Sequence, residues 1–299
     1  MRFKRGCLIM KGIFDIVIRL PSHLLASGQA MTLYLQGEPF TFVESGAATG
    51  MPVAFIHGFP FSHEMWDPQI SAVGQRHRAI AYDVRGHGGS IVGDGQYTIE
   101  GHVDDLIGLL DALHIARTVI VGLSMGGYIA LRALERNPER FRAAVLCDTR
   151  SEADSNEGKI KRFASLAALR HNGAAAFAGG FVKNVFAPET FQTNPGAIEK
   201  IRTVISRMPV LAIAGTILAL ASRTDTTDSL AAIRVPTLIL VGEHDVTTPP
   251  AAARAMHSRI AGSELHIIPH SAHMSNLENP EAFNSHLLPF LDRVASLNT

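Results

Sequence analysis

The sequence predicts an α/β fold on a mostly parallel eight-stranded sheet flanked by helices, and three observations carry that prediction. Eight short runs rich in β-branched and apolar residues recur at 31–35, 39–44, 53–57, 79–82, 118–122, 143–147, 236–241 and 265–269. Several, such as Val-Ala-Phe-Ile-His ending at His57 and Thr-Leu-Ile-Leu-Val-Gly ending at Gly242, are continuously apolar rather than alternating. Continuous runs suit strands buried on both faces of a parallel sheet. Helical patterns fill the gaps. Ile99, Val103, Leu106, Leu110 and Leu113 fall at spacings of 3 and 4 over 99–113, and residues 125–136 and 248–260 read in the same way. A last helix over 281–296 carries Phe283, Leu287, Leu288, Phe290 and Leu291 on its apolar face.

The stretch 149–232 breaks this rhythm, with Ala-rich helical material and Phe163, Phe177, Phe181, Phe186 and Phe191 but no strong strand signal. It is too long for an ordinary connection, so it reads as a helical cap, or lid, inserted in the sheet-forming chain. The core then comprises 31–148 and 233–299, and residues 1–30 stand apart as an N-terminal extension.

Composition narrows the class. The 299 residues are 46% hydrophobic, enough for a sizeable core. Lys and Arg total 27, as do Asp and Glu, and a net charge of zero argues against a nucleic-acid binder working through bulk positive charge. Cys7 and Cys147 make no disulfide framework and no Cys-x-x-Cys pair. Cys147 sits in the apolar run Ala-Ala-Val-Leu-Cys, where a small buried hydrophobe is expected. Arg2, Lys4 and Arg5 precede an apolar stretch from Leu8 to Leu20, but Lys11, Asp15 and Arg19 interrupt it, so a secretory signal is not expected. No run reaches the ~18 apolar residues of a membrane span. A cytoplasmic location is the expectation.

The strongest chemical signal is Gly122-x-Ser124-x-Gly126, preceded by a buried-strand pattern and followed by a helical one. A serine there sits on a sharp strand-to-helix turn, and flanking glycines remove Cβ atoms that would clash. The helix behind it points backbone N–H groups at the site. A serine hydroxyl needs a base to take its proton. His273, between the last strand and the last helix, stands at the carboxyl edge of the sheet, where open α/β sheets bind ligands. His270 competes with it but reads as a solvated loop histidine. The base in turn needs an orienting acid. Asp245 follows strand 236–241; Asp148, ending strand 143–147, is the alternative, and Glu243 reads as a solvated carboxylate. The order Ser124, Asp245, His273 differs from both common serine-protease orders.

With these residues in place, the chain from about 32 to 296 resembles the α/β-hydrolase superfamily. Four motifs carry the likeness: His57-Gly-Phe-Pro60, Asp83-x-Arg-Gly-His-Gly88, Gly122-Leu-Ser-Met-Gly-Gly127, and the paired Asp245 and His273 loops. The resemblance implies an oxyanion hole from the backbone N–H groups of Phe59 and Met125. It also implies structural roles for His57 and for the Asp83–Gly88 loop. Within the superfamily, His-Gly-Phe-Pro with Trp66 beyond it looks like the small carboxylesterase and 3-oxoadipate enol-lactonase branch.

The expected function is therefore hydrolysis of a small or medium carboxylic ester through an acyl-enzyme, with no cofactor and no metal. Phe59, Met125 and Trp66 are expected in the substrate pocket, with Arg150 as a cation for an acidic substrate. Most of the cap phenylalanines are expected to pack helices. A lactonase, a C–C bond hydrolase and a cofactor-free perhydrolase are alternatives on the same triad, and a hydrolase-like ligand receptor is a further one.

Overall fold

A computed structural model describes residues 29–297. The extension expected at 1–30 lies outside the described residues apart from Gln29 and Ala30, and Cys7 lies outside them as well. The eight expected strands form within one or two residues of the expected limits: β1 Met31–Leu35, β2 Glu38–Ser45, β3 Pro52–Ile56, β4 Arg78–Tyr82, β5 Thr118–Leu123, β6 Phe141–Cys147, β7 Thr237–Gly242 and β8 Glu264–Ile268. They make one sheet in the order β1-β2-β4-β3-β5-β6-β7-β8. The pairs β1–β2 and β2–β4 are antiparallel, and all the others are parallel.

Burial explains the apolar runs. Every residue of β4, β5 and β7 is buried, because helices cover both faces of the central sheet. The outer strand β1 alternates instead, with Leu33 and Leu35 inward and Tyr34 outward.

The helices of the core are α1 Asp67–Val73, α2 Ile99–Ala112 and α3 Met125–Arg136, and further along the chain α8 Pro250–Arg259, α9 Ser275–Glu278 and α10 Pro280–Ser296. Their starts are written locally. Thr98 Oγ1 accepts from Gly101 N at 2.9 Å at the head of α2. Asn279 accepts from Ala282 N at 3.1 Å, just ahead of Pro280 in the first turn of α10. Between β6 and β7 the chain is helical: α4 Asn156–Val185, α5 Thr190–Thr193, α6 Pro195–Arg207 and α7 Val210–Ser222. The longest, α4, breaks at Gly173, whose φ of 78° no helix contains. No helix among the described residues is long and apolar enough to cross a membrane.

Trp66 departs from its expected place. It is fully buried beneath the site, with its ring 5.1 Å from Phe55 of β3 and 6.3 Å from Phe283 of α10. The turn His63–Trp66 points the indole down into the sheet–helix interface, so it packs the core rather than lining the cavity beside Ser124. Replacing Trp66 with Ala should therefore lower unfolding stability by about 3–5 kcal/mol, as removal of a large buried ring does. Chemical denaturation monitored by circular dichroism checks this, and a loss below 1 kcal/mol would contradict the packing role.

Candidate active site

The site begins with a turn that side chains cannot enter. A Cβ on Gly122 would lie 2.2 Å from Gly126 O, and one on Gly126 would lie 2.1 Å from Ile56 O. Backbone therefore packs directly on backbone where β5 turns into α3. Ser124, between them, is held at φ 54° and ψ −113°, outside the ordinary regions for an L-residue. Its N–H donates to Cys147 O at 3.0 Å, and its carbonyl accepts from Thr149 Oγ1 at 2.8 Å, which ties the turn to the end of β6. Cys147 is buried, as its apolar run predicts.

Ser124 and His273 line one cavity of about 470 Å3. His273 Nδ1 lies 2.8 Å from Asp245 Oδ2. Asp245 also accepts from Thr247 N at 2.7 Å, Thr248 N at 2.9 Å and Thr248 Oγ1 at 2.7 Å. Burial alone would raise this carboxyl's pKa. The facing imidazole and the donated hydrogen bonds outweigh burial and hold it below the usual range. An ionised carboxylate only accepts, so Nδ1 carries the proton and Nε2 is left as the basic nitrogen.

Asp148, the alternative acid, does not touch His273. It is buried, accepting from Gly242 N at 2.8 Å and Ser275 Oγ at 2.5 Å. Burial, reinforced by the nearby Asp245 charge, pushes its pKa well above the carboxylate range. The two neighbouring carboxyls are thereby pushed in opposite directions, Asp245 toward its charged form and Asp148 toward its neutral one. His270 is exposed, at φ 54°, and faces Glu189 rather than the cavity.

The amides of Phe59 and Met125 make no hydrogen bond within the described residues. Met125 opens α3, where a free N–H is the rule. Beside Phe59, His57 donates from Nδ1 to Gly58 O at 2.8 Å and accepts at Nε2 from Val84 N at 3.0 Å. Burial lowers its pKa to about 4, so this imidazole is a neutral brace. Asp83 steadies the same region by accepting from the N–H groups of His63 at 2.7 Å and Gly89 at 2.8 Å.

Of the residues expected in the pocket, Phe59 lines it; Trp66, Met125 and Arg150 do not. Met125 is buried behind the turn, and the Arg150 guanidinium hydrogen-bonds the Thr247 carbonyl instead. The wall comes instead from α4 and α7. Phe177 and Phe181 stack at 5.5 Å and meet Phe59 edge-on at 6.3 and 5.9 Å, and Ile217 and Leu220 of α7 line the same cavity. Phe186 is buried away from the cavity, and Phe163 and Phe191 are exposed. Arg162 of α4 reaches the cavity, a cation the sequence pattern does not single out.

Two further residues escaped the motifs. Thr248 Oγ1 stands 3.1 Å from His273 Nδ1 while bonding Asp245. Glu278 accepts from Ala272 N at 2.8 Å and Met274 N at 3.3 Å, on either side of His273, and also from Ala187 N and Thr190 Oγ1 of the helical segment. No cluster of ligating side chains among the described residues could hold a metal ion.

A family model described as the alpha/beta hydrolase family matches residues 53–286. A curated relative, 3-oxoadipate enol-lactonase 1 of Acinetobacter baylyi, is 29% identical over 248 residues, covering 83% of this chain and 91% of that one. A thermophilic esterase from Thermogutta terrifontis, solved with malate bound, superposes with a TM-score of 0.84 at 35% identity, over 89% of this chain and 99% of the other. The enol-lactonase of Burkholderia xenovorans gives 0.81 at 29% identity, over 88% and 100%.

Because the turn relies on absent side chains, Gly126→Ala should cost about 1–3 kcal/mol of stability, the usual range for overpacking. The same change should displace Ser124 and strip labelling by a fluorophosphonate, read on a gel against the parent protein.

Proposed function

We propose that this chain, which belongs to the alpha/beta hydrolase family, hydrolyses small carboxylic esters or lactones through Ser124, His273 and Asp245. The observation that carries the reading is the shared cavity: Ser124 at its strained turn and a histidine backed by an ionised carboxylate face the same space. Relatives named as esterase and as enol-lactonase support the two substrate forms about equally.

In the first half-reaction, His273 Nε2 takes the Ser124 proton as Oγ bonds to the carbonyl carbon. The carbonyl oxygen becomes an oxyanion held by the free N–H groups of Phe59 and Met125, each worth roughly 2.7–4 kcal/mol in comparable sites. The imidazolium that forms is stabilised by Asp245, which keeps its own charge. His273 then gives its proton to the departing alkoxide as the C–O bond breaks, leaving an acyl-serine. In the second half-reaction, water loses a proton to His273 and attacks the acyl carbon, and the acid departs as Ser124 recovers its proton. In a lactone the departing oxygen stays tethered to the acyl group, so the cavity must hold both halves until water arrives.

The helical segment α4–α7 serves as the cap. Its stacked Phe177 and Phe181 press on Phe59 and give the cavity an apolar wall for the substrate's carbon chain.

Ser124→Ala should reduce turnover of p-nitrophenyl butyrate by on the order of a thousandfold or more. Unchanged turnover would overturn the reading, and a panel of alkyl esters and lactones assayed by pH-stat ranks the two substrate forms. The two buried carboxyls should also separate under amide substitution. Asp245→Asn should lower kcat by on the order of a thousandfold or more, since the amide favours the wrong histidine tautomer. Asp148→Asn, replacing a group that makes no contact with His273 and is pushed toward its neutral form, should lower it by less than about tenfold; equal losses would contradict the assignment of roles.

A further inference from the structure

Among the described residues lining the cavity, Arg162 supplies the only fixed charge and none is a carboxylate. Its guanidinium is only half engaged. Nε and Nη2 bond Asp154, the latter at 3.3 Å, and Nη1 has no partner among the described residues.

Nor does Asp154 cancel the charge of this corner. It is shared with Arg223, whose Nη1 donates to it at 2.6 Å. Two guanidiniums thus meet one carboxylate. Burial works against the Asp154 charge, but the two guanidiniums hold its carboxyl below the usual range. Asp225, the next carboxylate, spends its oxygens on the N–H groups of Ala153 at 3.0 Å and Thr227 at 2.8 Å. Arg223 is itself engaged through both Nη atoms: it also donates to Leu220 O and Glu152 O and lies 4.3 Å over the Tyr128 ring. Asp154 therefore works as a spacer that orients Arg162, while Arg223 supplies the matching counter-charge from behind.

Neutral donors stand on the same helix. Asn172 and Asn184 line the cavity, and neither side chain has a hydrogen-bond partner among the described residues. Phe59, Phe177, Phe181 and Leu220 give the space apolar lining, and α4 adds a cation and two amides. A neutral alkyl ester leaves those donors to water. A carboxylate satisfies them, since a guanidinium binds it with charge and directed hydrogen bonds together.

We propose that the cavity selects esters or lactones that carry a carboxylate, with the free Nη1 of Arg162 as the group that recognises it. This inference rests on the hydrolytic reading of the same cavity.

The experiment compares matched substrates that differ only in a terminal carboxylate or methyl group. Monoethyl adipate is set against ethyl hexanoate, and acetoxybutanoate against butyl acetate, so the acid sits once on the acyl side and once on the alcohol side. The parent protein should prefer the anionic member of at least one pair by about tenfold in kcat/KM at low salt, as a charge-assisted pair allows, and added salt should erode the preference. In Arg162→Met that preference ratio should fall about tenfold, mainly through KM, and Arg162→Lys should restore part of it. Isothermal calorimetry of adipate on the Ser124→Ala protein, with and without Arg162→Met, reads the same contact without turnover. If neither pair shows a preference, or if Arg162→Met leaves both the ratio and adipate affinity intact, the inference is overturned while the hydrolase reading stands. If nothing is hydrolysed by the parent protein, the hydrolase reading fails. Arg162-dependent adipate binding in that case still supports the anion site, and its absence ends both.

Discussion

The site depends first on a contact between two stretches of backbone. The N-terminal turn of α3 lies so close to β5 and β3 that the carbonyls of Gly126 and Ile56 occupy the space of any Cβ on Gly122 or Gly126. The chain can make the passage from strand to helix only by bending sharply at one residue. That residue, Ser124, accepts a conformation costing on the order of 1–3 kcal/mol, offset by the packing around it. Its side chain is left at the tip of the bend, and the amide behind it is left without a helical partner. A reactive hydroxyl and a free N–H thus arise from one steric constraint.

A second constraint is the crowding of acids beneath the histidine loop. Asp148 and Asp245 are both buried and close enough to feel each other, and two charges there would repel at low dielectric. The conflict is settled by donors. Asp245 receives hydrogen bonds from two threonines and the imidazole, which favour its charge, while Asp148 receives only one backbone N–H and one hydroxyl and is pushed toward its neutral form. Glu278 adds order from the other side, gripping the backbone on both flanks of His273 and the foot of the helical segment with a single carboxyl. The histidine loop and the segment above it consequently share a fixed point.

The cavity wall follows from aromatic packing across that junction. Phe177 and Phe181 sit one helical turn apart on α4, so their rings fall on one face and meet Phe59 from above. Phe163 and Phe191 belong to the same Phe-rich stretch, yet they point outward. Composition marked the stretch as aromatic. Phe163 precedes the Gly173 break in α4 and Phe191 lies on α5, so the packing of each helical piece, and not composition, separates lining rings from surface rings.

Local rules wrote most of the scaffold. Strand runs, helix caps and the glycine pattern around Ser124 each act within a few residues, so the eight strands, the core helices and the nucleophile turn were legible in order along the chain. Position after a strand marks both Asp245 and Asp148 as candidate acids at the sheet's carboxyl edge, and the contact with His273 separates them. What the tertiary structure decided is everything that depends on where a side chain points once distant segments meet. Trp66 stands seven residues beyond Phe59 but turns into the core, and Arg150 is drawn to the Thr247 carbonyl. Arg162, in no motif, is carried into the cavity by a helix packed from elsewhere in the chain. Sequence proximity sets covalent neighbours, whereas the direction of a side chain is a compromise among contacts from segments up to hundreds of residues away.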